Sequence, residues 1–240
     1  MLGLNPRTDS AEIRRRIGFL PERFELPAWM SVRDHLRFLE PFYPRWNREE
    51  EARLLDLFSL DPTARVDRMS KGERTKHVLL AALAHEPEIL ILDEPFSGLD
   101  PSARADILSA ILDHLRDEGR TVLMASHSLP DVERVADHLV LLEDGRVRLS
   151  GDLEQIRRRT VRVQVTLAVG EERWAPPGTP MVERYGSDLL LTYVEWDDEY
   201  ETLLAADPDV LGTRRLHRDL NHVFLAAVRG EQSACVVSVL

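Results

Sequence analysis

Four consecutive aliphatic residues, Ile89-Leu90-Ile91-Leu92, run straight into Asp93-Glu94-Pro95. An unbroken apolar run of strand length is expected where both faces of a strand are buried, as inside a parallel sheet. Parallel strands need crossover connections, so helices must alternate with strands along the chain. The run also ends on two carboxylates, and open α/β sheets place ligands at the carboxyl ends of their strands. This stretch therefore restricts both the architecture and the place where chemistry can occur.

The neighbouring sequence fits that frame. Ile17 to Leu20 reads as a short strand, and Thr121 to Ala125 as a second buried one. Ser31 caps a helix whose Val32, Leu36 and Leu39 share a face. Asn47 with Glu50, and Ser70 with Glu73, are capping-box patterns. The first predicts a helix to Leu60; the second a long helix to about His85, stopped by Pro87. Asp100-Pro101 is an N-cap with proline at the first helical position, predicting a helix to about Glu118 that Gly119 ends. A helix over 130–136 leads to an apolar strand at Leu139 to Leu142, and Asp144-Gly145 is a hairpin signal.

From about residue 160 the texture changes. Val161, Val163, Val165 and Leu167 alternate with polar residues, as in a strand with one face buried. Pro176, Pro177, Gly178 and Pro180 mark a loop, Leu189 to Val194 fits a strand, and Asn221 to Val228 fits a short helix. Residues 160–232 thus read as a small α+β appendage to a domain covering 1–158. Arg157 to Arg159 are a solvated helix end favoured by the dipole.

A formal net charge of -11 argues against a general nucleic-acid binder, which needs a basic surface. It does not exclude ATP, whose charge is met by local groups and Mg²⁺. Apolar runs fall short of the roughly 18 residues that a membrane-spanning helix needs. The single cysteine, Cys235, excludes a disulfide framework and fits a small apolar side chain in a C-terminal strand.

Four short stretches carry possible chemistry. Asp93 suits a Mg²⁺ ligand and Glu94 suits a residue that polarises an attacking water. Ser97-Gly98-Leu99-Asp100 makes a sharp turn into a capped helix. Ser126-His127-Ser128 puts a histidine at a strand's carboxyl end, within reach of a phosphate oxygen or a water. Met69-Ser70-Lys71-Gly72-Glu73 offers a hydroxyl, a glycine backbone and a helix N-terminus, which together can face a phosphate. Each has a plainer reading alone: a strand ending in a polar turn, a helix cap, a structural loop histidine, a capping box. Their fixed order, each at the end of an element, favours the chemical reading.

In that order the stretches resemble the ABC ATPase family over residues 1 to about 158. Met69 to Glu73 is similar to a variant signature motif, Ile89 to Glu94 to the Walker B strand, Ser97 to Asp100 to the D-loop, and His127 to the switch histidine. Ile17 to Glu22 resembles the strand leading into the Q-loop. The resemblance implies a partial P-loop NTPase domain of α/β class with a helical subdomain. It further implies that Asp93 and Glu22 serve nucleotide-bound Mg²⁺, that Glu94 acts as general base, and that His127 senses the γ-phosphate. Ser70, Gly72 and Glu73 would contact ATP held on the opposite subunit of a homo- or heterodimer, and Ser97, Gly98 and Asp100 would communicate across it. Membrane permease subunits would hold the protein peripherally at the inner, cytoplasmic face of the cell membrane. Glu22 stands where the family often has glutamine, and Lys71 and Glu73 replace a glycine and a glutamine. Leu20-Pro21-Glu22 and Asp219 to Leu225 resemble a drug- or antibiotic-export branch.

Holding ATP in this family also takes G-x-x-x-x-G-K-[ST], yet none of the 12 glycines is followed by lysine. Family order places that loop before Met1, so the expectation is a domain truncated at its N-terminal side. Four lost hydrogen bonds to a charged group, at about 1.5–3 kcal/mol each, amount to about 6–12 kcal/mol. A micromolar site has only about 8 kcal/mol in all. The 240 residues alone are therefore expected not to bind ATP usefully, and an exposed apolar edge is expected to promote association. Two alternatives stay open beside a transporter ATPase: a catalytically silent partner lending only its signature surface, and a non-transport ABC ATPase.

Overall fold

The computed structural model describes residues 2–168, 174–178, 180–216 and 234–239. The chain divides into two compact units, residues 1–126 with 238–240, and residues 127–237.

The first unit opens with helix α1 (Ser10–Arg16) and strand β1 (Ile17–Leu20), followed by α2 (Val32–Leu39), α3 (Arg48–Leu57) and α4 (Lys71–Leu83). Strand β2 (Ile89–Asp93), helix α5 (Pro101–Leu115) and strand β3 (Thr121–Ser126) complete it. β1 pairs with β2, and β2 with β3, all parallel, with Phe19 opposite Ile91 and Ile91 opposite Leu123. Every sequence-predicted strand of this unit is present.

The burial of β2 differs from expectation. Leu90 and Leu92 are fully buried, but Ile89, Ile91 and Asp93 are only half-buried. Their strand neighbour Phe19, on the same face, is 53% exposed. The sheet therefore buries one face, with Gly18, Leu20, Val122 and Met124, and leaves an apolar second face partly open. Gly18 marks where α4 comes closest: a Cβ there would lie 2.5 Å from the Ala82 carbonyl oxygen.

Local signals fix the helix starts. Ser31, Asn47, Ser70 and Asp100 all cap, and Ser70 with Glu73 closes a reciprocal capping box; Asn47 closes none with Glu50, because its amide donates to the Ala84 carbonyl and Glu50 is engaged by Arg53. Helix ends were less legible. α3 stops at Leu57 instead of Leu60, because Ser59 adopts a left-handed φ of 52° and the Leu60 amide donates back to Leu55. That is the closure glycine usually provides. α5 stops at Leu115 instead of Glu118, where the Arg116 amide tightens onto Asp113; Gly119 turns left-handed beyond it.

The second unit begins with α6 (Leu129–Val132), a single turn where the sequence suggests a helix over 130–136; the Val135 amide bonds three residues back and the helix does not propagate. β4 (His138–Glu143) and β5 (Arg146–Asp152) form an antiparallel hairpin, with Asp144 and Gly145 both at positive φ as the turn requires. After α7 (Leu153–Arg159) come β6 (Val161–Leu167), β7 (Met181–Tyr185), β8 (Asp188–Tyr193), α8 (Glu199–Ala206) and β9 (Val210–Arg215). The antiparallel order is β7-β8-β6-β9. Its core joins Val161, Val163, Val165, Leu189, Leu191 and Tyr193 to Leu204 of α8. β7, α8 and β9 went unread in the sequence, because β7 and β9 are exposed strands with little alternation. The helix expected at Asn221 to Val228 lies outside the described residues. Cys235 does fall in a C-terminal strand, β10 (Ala234–Val239).

Candidate active site

β2 carries Asp93 to its carboxyl end, and the chain then turns sharply. Glu94 holds a positive φ of 49°, a region costly for a side chain with a Cβ. Contacts with β3 help keep it there. Its amide donates to the Ala125 carbonyl of β3 at 2.9 Å, and the buried Ser126 hydroxyl lies 3.4 Å from Glu94 Oε2. Asp93 and Glu94 are both half-buried. Glu22 is exposed two residues beyond β1, at the same carboxyl end of the sheet.

A second group gathers at the start of α4. The Glu73 amide donates to Ser70 Oγ at 3.2 Å, and the Ser70 amide donates to Glu73 Oε2 at 2.7 Å. The Ser70 backbone N–H holds the Glu73 carboxyl below its usual range. Gly72, which a capping box does not require, has a structural reason. A Cβ there would sit 3.3 Å from the Ala103 Cβ and 3.8 Å from Asp100 Oδ2 at the start of α5. Asp100 caps α5 through the Ser102 and Ala103 amides, and the Ala103 amide leads in lowering its pKa. Gly98, at a left-handed φ of 67°, is overlain by Lys71, whose Nζ would be 2.7 Å from a Cβ at that position. The helix start and the 97–100 turn thus form one packed cluster. Ser97 is half-buried at its edge, its amide donating to the Glu94 carbonyl at 3.1 Å.

The expected residues therefore fall into two groups in the first unit: Asp93 and Glu94 with Ser126, and Ser70, Gly72 and Glu73 with Gly98 and Asp100. His127 is exposed and opens the second unit. Ser126 was legible as more than a neighbour of His127. Strand alternation places it with Val122 and Met124 on the buried face, where a polar side chain calls for a partner. Lys71 over Gly98 left no such trace.

No three His, Cys, Asp or Glu among the described residues converge to hold a metal ion alone. A single strand-end carboxylate such as Asp93 is compatible with Mg²⁺, which binds through one or two carboxylates and is completed by water and substrate phosphates.

Acids at the carboxyl ends of parallel strands mark the ligand-binding edge of an α/β sheet. Comparison with known proteins narrows this. A family model described as "AAA domain, putative AbiEii toxin, Type IV TA system" matches residues 34–131. The uncharacterized ABC transporter ATP-binding protein YhaQ of Bacillus subtilis is 35% identical over 160 residues, 65% of this chain and 53% of YhaQ. The Nod factor export ATP-binding protein I of Cupriavidus pinatubonensis is 31% identical over 225 residues, 89% of this chain and 68% of that protein. A solved ATP-binding subunit of an ABC transporter superposes with a TM-score of 0.60 at 31% identity, over 66% of this chain and 68% of that one. The chain belongs to the family of ABC transporter ATP-binding proteins. It spans about half the length of YhaQ.

Proposed function

We propose that this chain is the ATP-hydrolysing side of an ABC transporter, paired with a like or unlike ATPase subunit beneath membrane permease subunits and driving export. The carrying observation is the strand end at Asp93-Glu94, where a strained Glu94 backbone is held by Ala125 and Ser126. A carboxylate fixed in this way can orient a water and accept its proton. Asp93, with Glu22 near by along the same sheet end, offers oxygen to Mg²⁺ bound with the nucleotide. His127 offers a donor to the γ-phosphate, and Ser70 and Gly72 offer theirs to nucleotide on the opposite subunit. Residues 1–158 would carry this work and 160–232 would be accessory. Export follows from the Leu20-Pro21-Glu22 resemblance and from the Nod factor relative named for it; Asp219 to Leu225 lies outside the described residues. The inner face of the cell membrane is the matching location.

A second reading is a silent partner, which would lend its Ser70–Gly72 surface to nucleotide held elsewhere and would not turn over ATP even with a G-x-x-x-x-G-K-[ST] loop supplied. A single experiment separates the two. Polypeptide carrying that loop is joined to the N-terminal side of the chain, and ATP binding and phosphate release are measured. The ATPase reading expects turnover that Glu94→Gln lowers by about 10²–10⁴-fold, with ATP still bound. Binding without turnover in the parent would favour the silent partner. Unchanged turnover in the variant would remove Glu94 as the base.

A further inference from the structure

Two histidines outside this machinery meet inside the first unit. His35 of α2 and His77 of α4 are buried, at 8% and 0% exposure, with His35 Nδ1 2.8 Å from His77 Nε2. The rings are tilted by 56° at a centroid distance of 5.0 Å. A hydrogen bond between two imidazoles needs one proton and one lone pair, so the pair has a defined tautomer. The far side of His77 decides which. Its Nδ1 is buried and meets no hydrogen-bond partner among the described residues. A buried N–H left without an acceptor is rarer than an acceptor left bare. The His77 proton therefore sits on Nε2 and donates to His35 Nδ1, and His35 carries its own proton on Nε2. His35 also lines a cavity of about 590 Å³ beside β1.

Charged neighbours are engaged elsewhere or stand apart. Lys76 of α4 binds Asp106 of α5 at 2.6 Å, and Arg53 of α3 binds Glu50 and Asp113. On α2, Asp34 is bonded to Ser31. On α5, His114 meets Arg120. Arg14 of α1 and Glu25 after β1 line the cavity with His35, as does His85 in the turn after α4, which lies 3.2 Å from the Ile17 carbonyl of β1.

We propose that His35 and His77 form a latch, closed when both are neutral, that holds α4 against α2 and opens on acidification. His77 lies seven residues into the helix that Ser70 caps, about 10 Å along its axis at 1.5 Å per residue. The latch therefore steadies the Ser70–Gly72 turn. One added proton places a charge in an apolar interior, and a second sets N–H against N–H. Burial agrees with this, holding His35 below the ordinary histidine range and His77, aided by His35, down to about 3. The latch stands on its own geometry; only its bearing on nucleotide contact rests on the function proposed above.

The test uses the full chain without nucleotide. Nitrogen NMR at pH 7 should show His77 protonated on Nε2 alone. Hydrogen exchange, corrected for intrinsic rates, should show about a hundredfold loss of amide protection over residues 71–83 between pH 7 and 5. In the double variant His35→Leu/His77→Leu, which cannot titrate there, the loss should fall below tenfold. His77→Gln, which can still donate to His35, should lie between the two. A His77 proton on Nδ1, or a double variant as pH-sensitive as the parent, would overturn the latch. Should the double variant not fold, the tautomer and His77→Gln decide.

Discussion

β2 of the first unit and β6 of the second bury the same alternate positions, yet their sequences differ on the other face. β2 shows Ile89 and Ile91 there, and β6 shows Arg162, Gln164 and Thr166. On β6 the polar residues find local partners: Arg162 reaches Glu183 at 3.2 Å, and Thr166 reaches Asp188 at 2.6 Å. On β2 the half-open face is apolar and continues into Phe19 of β1. Equal burial therefore does not mean equal design. The first unit's sheet has an apolar second face chemically suited to cover, whereas a central strand of the second unit's sheet presents polar side chains there. Buried titratable groups differ too. The first unit buries histidines; the second buries Asp131, Glu143 and a phenol, Tyr193, which donates to the Pro177 carbonyl.

The largest expected effect is opposite pH sensitivity. Burial pushes His77 down to about 3 and His114 down to about 4. In the unfolded chain they protonate near 6.5, so their contribution is complete above that pH and is lost as the pH falls from 6.5 toward those values. At about 1.4 kcal/mol per unit for each group, the first unit should lose roughly 5 kcal/mol by about pH 4.5. Burial raises Tyr193 well above its ordinary range, so the second unit's contribution is complete below about pH 10 and is lost as the pH rises beyond. Regional hydrogen exchange at pH 5, 7 and 10.5 checks both signs. Loss of protection in both units at pH 5 alike would break the contrast.

Next come the two faces of β2. Leu92→Ala should cost about 2–5 kcal/mol, and Ile91→Ala clearly less, because Ile91 is only half-buried. Equal costs in denaturant titrations would mean that something covers the second face in solution.

Strand glycines give a smaller contrast. Gly18→Ala drives a Cβ against the α4 backbone and should cost about 1–3 kcal/mol. Gly212→Ala in β9 meets nothing within 4 Å and should be neutral or stabilising by up to about 1 kcal/mol. A large loss at Gly212 would show that β9 has a close neighbour. Smallest is Gly72→Ala, whose Cβ would press on Ala103 at 3.3 Å and should cost about 1 kcal/mol. Thermal melts of these variants rank them.

The legible parts of the fold are those with short-range causes. Ser31, Asn47, Ser70 and Asp100 satisfy amides two or three residues ahead, and each was readable as a cap. The strand-end acids were readable because an apolar run announces the strand that delivers them. β7, β9 and α8 were not, since exposed edge strands and a weakly amphipathic helix leave little periodicity.

The sequence by itself determined where the buried strands and the capped helix starts fall, and which acids stand at a strand's end, since those follow from alternation and from capping a few residues apart. Only the tertiary structure decided that Glu94 would be held left-handed between Ala125 and Ser126, that Gly72 would be a contact surface for α5, and that His35 would find His77. The reason is distance along the chain. His35 and His77 are 42 residues apart and Ser126 and Glu94 are 32, so each pairing exists only once packing has placed two elements side by side.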